Sequence, residues 1–566
     1  LAEPATLGIA SGAQLGLTVA TLLGGSVMLS QGLSLTGAMI SALIIFVLSS
    51  QRQLSPLTLL LTGLIIGLFC SALQNGIALF RHEQLQSLFI WSSGNLTQND
   101  WSVAKVLAPV LLLIVLLVLL FSRPLNLLRL SDTMVNSLGG RSQRIRLGGL
   151  LLVTLAAGWT VSQVGIIGFI GLFAPQICRL LPHKRFISHL LLVMMFGALV
   201  LLACDQLSVL SQYAGNQFTA GNITAIGGIP LMLFIIAKAR FITTPDLRPA
   251  VRHTVMMTGT KYVLTGLLLL LVTLLAVSIT RNAHGLVLNW HDPLAFRWPR
   301  AVVAGSCGAL LAIGGVILQR LTANPLASPE VLGVNSGAAC GVVLMLIFFP
   351  ATGSIGIFPA ALTGALLSLA IIICFAFGSY SSSSRILLAG TALSALAAAV
   401  ISLLLASGAP NASQIISWLS GSAWGATPQM ALSGLLIVVI ALPLSLLFSR
   451  WLTLLPLGGQ VASSLGLALR PATGVLLVYC AVLSACATLL LGPMSFIGLL
   501  APQVTRQTGV RHVAAALPVA ATTGAVLMIL ADTLGRMVIW PFQIPAGVMA
   551  VLLGTPAFVW LLCRKS

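Results

Sequence analysis

Apolar runs of about 17–25 residues, the length that spans a bilayer as helix, alternate along the chain with short polar breaks. Their apolar residues are not confined to one stripe, so each run reads as a span enclosed by lipid or protein. In the second half the runs fall at 262–280, 301–320, 331–349, 357–378, 386–406, 431–448, 471–491, a short 493–505, 514–532 and 545–563. Eight counterparts extend from about 7–27 to about 220–237. The pattern predicts an all-α polytopic membrane protein with 18 helices in this chain.

The two halves are copies. Residues 169–179 (FIGLFAPQICR) and 496–506 (FIGLLAPQVTR) lie 327 apart and agree at eight of eleven positions. The same spacing pairs Gly165 with Gly492, Leu138-Gly139 with Leu465-Gly466, Asp205 with Asp532, and Trp91-x-x-Gly94 with Trp418-x-x-Gly421. At a spacing of 325, LAEPATLG (1–8) pairs with LASPEVLG (326–333). Chance matches in apolar sequence are Leu on Leu, so a tandem duplication of one ten-helix unit follows. The second copy carries residues 251–325, with two spans, before its LASPE element. Two further helices are therefore expected ahead of Leu1, giving 20 in the full protein. The expected division is a first half at 1–240, a polar, basic linker at 241–261 and a second half at 262–566.

Composition narrows the class. Charged residues are 7% of the chain, against about 25% in soluble proteins. The net charge of +19 is spread thinly between apolar runs, which excludes a nucleic-acid partner. With an even number of spans per half and both ends in the cytoplasm, only Arg81, Lys105, Arg281, Arg297, Arg300 and Arg536 fall on the outer side. The nine cysteines form no C-x-x-C pair and read as packing thiols, so no metal site is expected.

Catalytic chemistry is not legible. Of nine carboxylates, Glu3, Glu83, Asp100, Asp132, Asp246, Asp292 and Glu330 fall in breaks or at span ends, and Asp205 and Asp532 lie near span ends. A proton-coupled carrier with parallel repeats is the rival class, and it would display an intramembrane carboxylate. No Gly-Lys dipeptide occurs, so the chain has no phosphate-binding loop. The chain is expected to be no enzyme, and any ATP that drives it is hydrolysed by another subunit.

Arg297-Trp-Pro-Arg300, the glycine-rich stretch Gly305 to Gly315, and Asn324-Pro325-Leu326-Ala327-x-Pro329-x-x-Leu332-Gly333 are similar to the vitamin B12/iron-siderophore permease family of bacterial ABC importers. So are the doubled F-I-G-L-x-A-P-Q-x-x-R element, Ala531-Asp532-x-x-x-Arg536 and the late Gly547, Gly554 and Pro556. The resemblance covers both halves. It departs at Pro175-Gln176 and Pro502-Gln503, where the family has Pro-His, and at Val209, which occupies the place of Arg536.

The resemblance implies a permease of the inner membrane, both ends cytoplasmic, served by two cytoplasmic ATPase subunits and one periplasmic substrate-binding protein. Two fused copies point to ferric hydroxamate (ferrichrome-type) siderophores, with cobalamin, haem or another siderophore as alternatives. No cofactor belongs to the chain itself, ATP and Mg residing on the ATPase. Arg297, Arg300 and Arg536 are then docking residues for the binding protein, or else headgroup anchors. The segments 123–146 and 450–470 are ATPase coupling helices, with Ser137, Leu138 and Gly139 in one and Ser463, Ser464, Leu465 and Gly466 in the other. Ser383 and Ser384, with Ser55 and Pro56 at the repeat position, match the family's cytoplasmic gate or form plain helix N-caps.

Overall fold

A computed structural model describes residues 8–563, apart from 51–55, 81–93, 95, 99, 129, 131, 180, 182–184, 214–217, 239–258, 283–284, 289–296, 325–326, 331–332, 350–355, 377–382, 407–411 and 511. The chain divides into two compact units, residues 1–232 with 402–409 and 559–566, and residues 233–401 with 410–558. Most of the expected linker at 241–261 lies outside the described residues.

The first half contains α1 (Ile9–Leu22), α2 (Val27–Ser50), α3 (Pro56–Phe80), α4 (Ser102–Leu120), the short α5 (Ser122–Leu127) and α6 (Asp132–Ser137), α7 (Ser142–Val164), α8 (Ile170–Cys178), α9 (Phe186–Tyr213) and α10 (Ala220–Lys238). Helix α1 packs on α2, α3 and α7. Small residues permit that approach. A β-carbon on Gly16 would overlap the Leu33 carbonyl, and one on Gly12 would crowd Gly37 and Ser41.

The second half contains α11 (Gly259–Ser278), α12 (Trp298–Leu321), α13 (Val334–Phe348), α14 (Ile357–Ala376), α15 (Ser383–Ala406), the short α16 (Ala412–Leu419), α17 (Pro428–Leu447), the short α18 (Ser449–Leu454) and α19 (Gly459–Ser464), α20 (Leu469–Leu491), α21 (Ile497–Gln507), α22 (Val513–Met537) and α23 (Ala546–Cys563). Helix α12 is the hub, nearly all of it buried against α17, α20, α21 and α22. Gly337 and Gly341 of α13 meet Gly364 and Ala360 of α14, repeating the α1–α2 contact at the duplicated positions.

All ten spans read from the second half and all eight from the first correspond to helices, with boundaries shifted by a few residues. Two features depart from that reading. A hairpin of β1 (Ile279–Asn282) and β2 (Gly285–Leu288) joins α11 toward α12, with Ile279 opposite Leu288. Short helix α16 was hidden between spans because its eight residues carry less than three turns of pattern. Among the described residues, nine helices are long and apolar enough to cross a membrane, and shorter apolar helices accompany them. Leucines such as Leu199 and Leu267 stand exposed along them, a surface that requires lipid rather than water. The chain is a multi-pass membrane protein.

Candidate functional site: loop tips, a buried arginine cluster and a polar brace

Helices α12 and α20 run antiparallel, as two thiol contacts establish. Cys307 Sγ reaches the Ala487 carbonyl and Cys480 Sγ the Gly314 carbonyl. The start of α12, with Arg297 and Arg300, is thus at the end where α20 finishes, and Arg320 lies toward the end where α20 begins, next to Gly466.

At the Gly466 end, segment 450–470 is not one coupling helix. Gly458 (φ 98°) breaks it, leaving α18, a single 3-10 turn and α19. Likewise, 123–146 holds α5, α6 and the start of α7. The tips of α6 and α19 end identically. Gly139 and Gly466 take φ of 78° and 83°, the left-handed conformation that favours glycine. Gly139 N–H donates to Asn136 O at 3.1 Å and Gly140 N–H to Val135 O at 3.0 Å. Gly466 N–H donates to Ser463 O and Leu467 N–H to Ala462 O, both at 3.0 Å. Each is a Schellman turn. Buried Val135 and Ala462 anchor the tips, while Leu138 (66% exposed) and Leu465 (50%) project beside exposed Ser137, Ser463 and Ser464. A leucine at least half exposed at the same place in both copies presents an apolar knob.

Pro56 opens α3 and Ser383 and Ser384 open α15, so the gate positions are helix starts. Ser55 lies outside the described residues.

At the other end the three arginines are not free side chains. Arg300 is 8% exposed. Its Nε donates to both oxygens of Asp532 at 2.9 Å, its Nη2 lies 2.8 Å from Asp532 Oδ1, and its Nη1 donates to Gln543 Oε1 at 2.7 Å. Arg536 Nε is 3.4 Å from Asp532 Oδ2, and Arg536 Nη2 donates to the Ala276 carbonyl at 2.8 Å. Arg297 Nη1 reaches the Val277 carbonyl at 3.5 Å. Arg281 donates to the Met537 and Val538 carbonyls at 2.6 and 3.2 Å. The arginines therefore serve the carbonyl ends of α11 and α22, where unpaired acceptors and the helix dipole attract cations. Arg300 and Arg536 are thus held by Asp532. They line, with Arg281, Arg297, Trp424 and Trp540, a cavity of about 840 Å³. Among the described residues, four guanidinium groups line it and the one carboxylate beside them is that of Asp532, which leaves it electropositive. Asp205, the repeat partner of Asp532, is half-buried in α9 and has no ion pair among the described residues.

Between the two ends, loops opening α13 and α21 are tied together. Glu330 Oε1 accepts the Phe496 N–H at 2.7 Å. Asn335 Nδ2 donates to the Met494 carbonyl at 3.1 Å, and its Oδ1 accepts from Ser484 and Thr488. Phe496 begins α21 with φ of 82° and stacks edge-on against Phe558. Phe169 begins α8 with φ of 71°, so the break before the short helix is duplicated. Main-chain pairing is duplicated too: Gly221 N–H donates to Gly94 O, and Gly547 N–H to Gly421 O. Sequence reasoning placed Glu330 in a break and missed this role. The available signal was a carboxylate between Pro329 and Gly333 where the first copy has Ala5.

The sequence model of the FecCD transport family matches residues 1–238 and again 260–564. The chain belongs to the FecCD transport family. Among its relatives, the iron(3+)-hydroxamate import system permease protein FhuB of Escherichia coli K12 is 42% identical over 578 aligned positions, covering 100% of this chain and 87% of that protein. The Fe(3+) dicitrate transport system permease protein FecD of the same organism is 36% identical over 49% of this chain and 86% of its own length. Within the FecCD family, half-size and double-size chains thus coexist. A solved chain from a metal-chelate type ABC transporter in an inward-facing conformation is 28% identical, with a TM-score of 0.49 over 53% of this chain and 97% of that one.

The brace makes a testable demand on this FecCD chain. Glu330→Leu leaves the Phe496 N–H unpaired at a cost of about 1–3 kcal/mol, whereas Glu330→Gln keeps an acceptor oxygen. The melting temperature of solubilised full-length protein is expected to fall with Leu and to stay near wild type with Gln. Equal stability of the two variants would remove the brace.

Proposed function

We propose that this FecCD chain is the permease of a binding-protein-dependent ABC importer that carries ferric hydroxamate siderophores across the bacterial inner membrane. The observation that carries the reading is the full-length match, both halves at once, to a fused hydroxamate permease. The chain supplies no chemistry. Its halves couple nucleotide-dependent states of two ATPase subunits to access from one side or the other, with ATP and Mg held by those subunits. Both chain ends and the α6 and α19 tips face the cytoplasm, and the arginine cavity faces the periplasm. The protruding Leu138 and Leu465 suit a cleft on each ATPase, and the glycine turns after them fix their angle. One periplasmic binding protein docks acidic groups over the electropositive cavity. Arg297 is the direct partner there, while Arg300 and Arg536 contribute field more than contact. Ser55, Pro56, Ser383 and Ser384 form the cytoplasmic gate in this reading.

The test is uptake of radioactive iron by cells lacking their own permease and supplied with this one. Ferric hydroxamates should restore uptake, whereas ferric dicitrate, haemin and cobalamin should not. Restoration by haemin or cobalamin alone would reassign the substrate. Gly466→Trp places a bulky side chain at φ 83°, opening the α19 tip while the spans remain in place. Uptake is expected to fall at least tenfold with unchanged membrane level, and wild-type uptake would remove the coupling role.

A further inference from the structure

The two loop tips differ in charge. Positions 123–146 carry five arginines and one aspartate, whereas the repeat positions 450–473 carry two arginines and no carboxylate. Arg123 recurs as Arg450, but Arg141 and Arg144, just past the α6 turn, become Ala468 and Pro471. Both arginines are exposed, and among the described residues neither has an ion pair with a carboxylate. Ser142 N–H donates to Asn136 Oδ1 at 3.4 Å, which ties the start of α7 to the last turn of α6. The backbone at Arg141 is thereby held beside the turn that projects Leu138.

Neither topology nor local stability explains the difference. The cytoplasmic bias toward Lys and Arg acts on both copies alike, since both tips face one side in the reading given above. Arginines at the start of α7 also meet the positive end of its dipole, with no acidic residue in the first turn to offset them. They are unfavourable there for the chain alone, so the group that answers them comes from outside. Arg141 lies six residues ahead of Leu147, where the apolar run of α7 begins, or about 9 Å along the axis at 1.5 Å per residue. Headgroups add only roughly 5–8 Å to each side of the hydrocarbon core. Arg141 therefore clears them, and a cytoplasmic protein surface answers it better than a lipid phosphate. We propose that Arg141 and Arg144 seat the α6 tip on an acidic rim of its ATPase subunit, so that the two tips grip their ATPases unequally. The α19 tip relies on Leu465. This rests on the coupling reading and adds to it the chemistry of the partner surface.

The experiment uses the full chain in membranes, with the ATPase subunit that supports its uptake. A photoactivatable phenylalanine analogue replaces Leu138 in one sample and Leu465 in another, and captured ATPase is measured against salt. At about 0.1 M salt, where charges act over about 10 Å, position 138 should capture about fivefold more than position 465, the most that one exposed ion pair supplies. The two should converge near about 1 M, where that range falls to about 3 Å. Arg141→Gln with Arg144→Gln should lower capture at 138 to the level at 465. Ala468→Arg with Pro471→Arg, both at exposed positions, should raise capture at 465. Equal capture and equal salt dependence at both tips would overturn the proposal and leave the coupling reading intact, whereas capture at neither tip would overturn both. If the double glutamine variant keeps its capture at 138 but loses anionic phospholipid in native mass spectrometry, the arginines hold headgroups and the proposal is likewise overturned.

Discussion

Asp532→Ala should be among the most damaging single substitutions in this permease. Among the described residues, it strips Arg300 of three of its four close contacts and Arg536 of its carboxylate partner. Arg300 is 8% exposed, so only a small part of it reaches the adjoining cavity. Leaving one member of a buried pair uncompensated costs about 3–5 kcal/mol, a large share of the roughly 5–15 kcal/mol that holds a domain folded. The folded yield of solubilised protein, read by size-exclusion chromatography after heating, is expected to collapse. A double change, Asp532→Asn with Arg300→Gln, removes both charges and should recover most of the loss. Asp205→Ala, at the same repeat position, should stay within about 0.5 kcal/mol of wild type. An Asp532→Ala chain as stable as wild type would refute the buried cluster.

Gly315→Leu and Gly308→Leu should be comparably severe through sterics alone. A β-carbon at Gly315 would overlap the carbonyl of Gly498 in α21, and one at Gly308 the carbonyl of Gly524 in α22. Both obstacles are backbone, so no side chain can swing away. Overpacking costs about 1–3 kcal/mol even where neighbours can shift. Here the hub helix must separate from two partners, so loss of membrane-inserted, protease-resistant protein is expected. Gly474 in α20 is the control, since nothing lies within 4 Å of an added β-carbon. Gly474→Ala should be neutral or stabilising, alanine being about 1 kcal/mol better inside a helix. Normal folding of Gly315→Leu would mean that α12 and α21 do not touch as described.

The spans were legible because a bilayer imposes length and apolarity on each run, and the duplication because Pro, Gln, Trp and Asp recur at one spacing. The Schellman tips were half legible: Leu-Gly recurs, but the break at Gly458 depends on a backbone angle that no spacing records. The ion pairing within the arginine cluster was not legible. Arg300 and Asp532 are 232 residues apart, and only the crossing of α12 with α22 shows that one answers the other. Glu330 was overlooked for the same reason, its acceptor role being set by a main-chain amide in another loop.

The Glu330–Asn335 brace also bears on why two permease halves should share one chain. Where a half-size permease pairs with a second copy of itself, any residue that stiffens one half necessarily stiffens the other. Here the repeat positions of Glu330 and Asn335 are Ala5 and Ala10, which have neither side-chain group, so these two side-chain ties between the α13 and α21 loops belong to the second copy. Fusion frees each copy to mutate alone. It permits a division of labour in which one hinge is a fixed post and the other swings, an arrangement closed to a homodimer by its own symmetry.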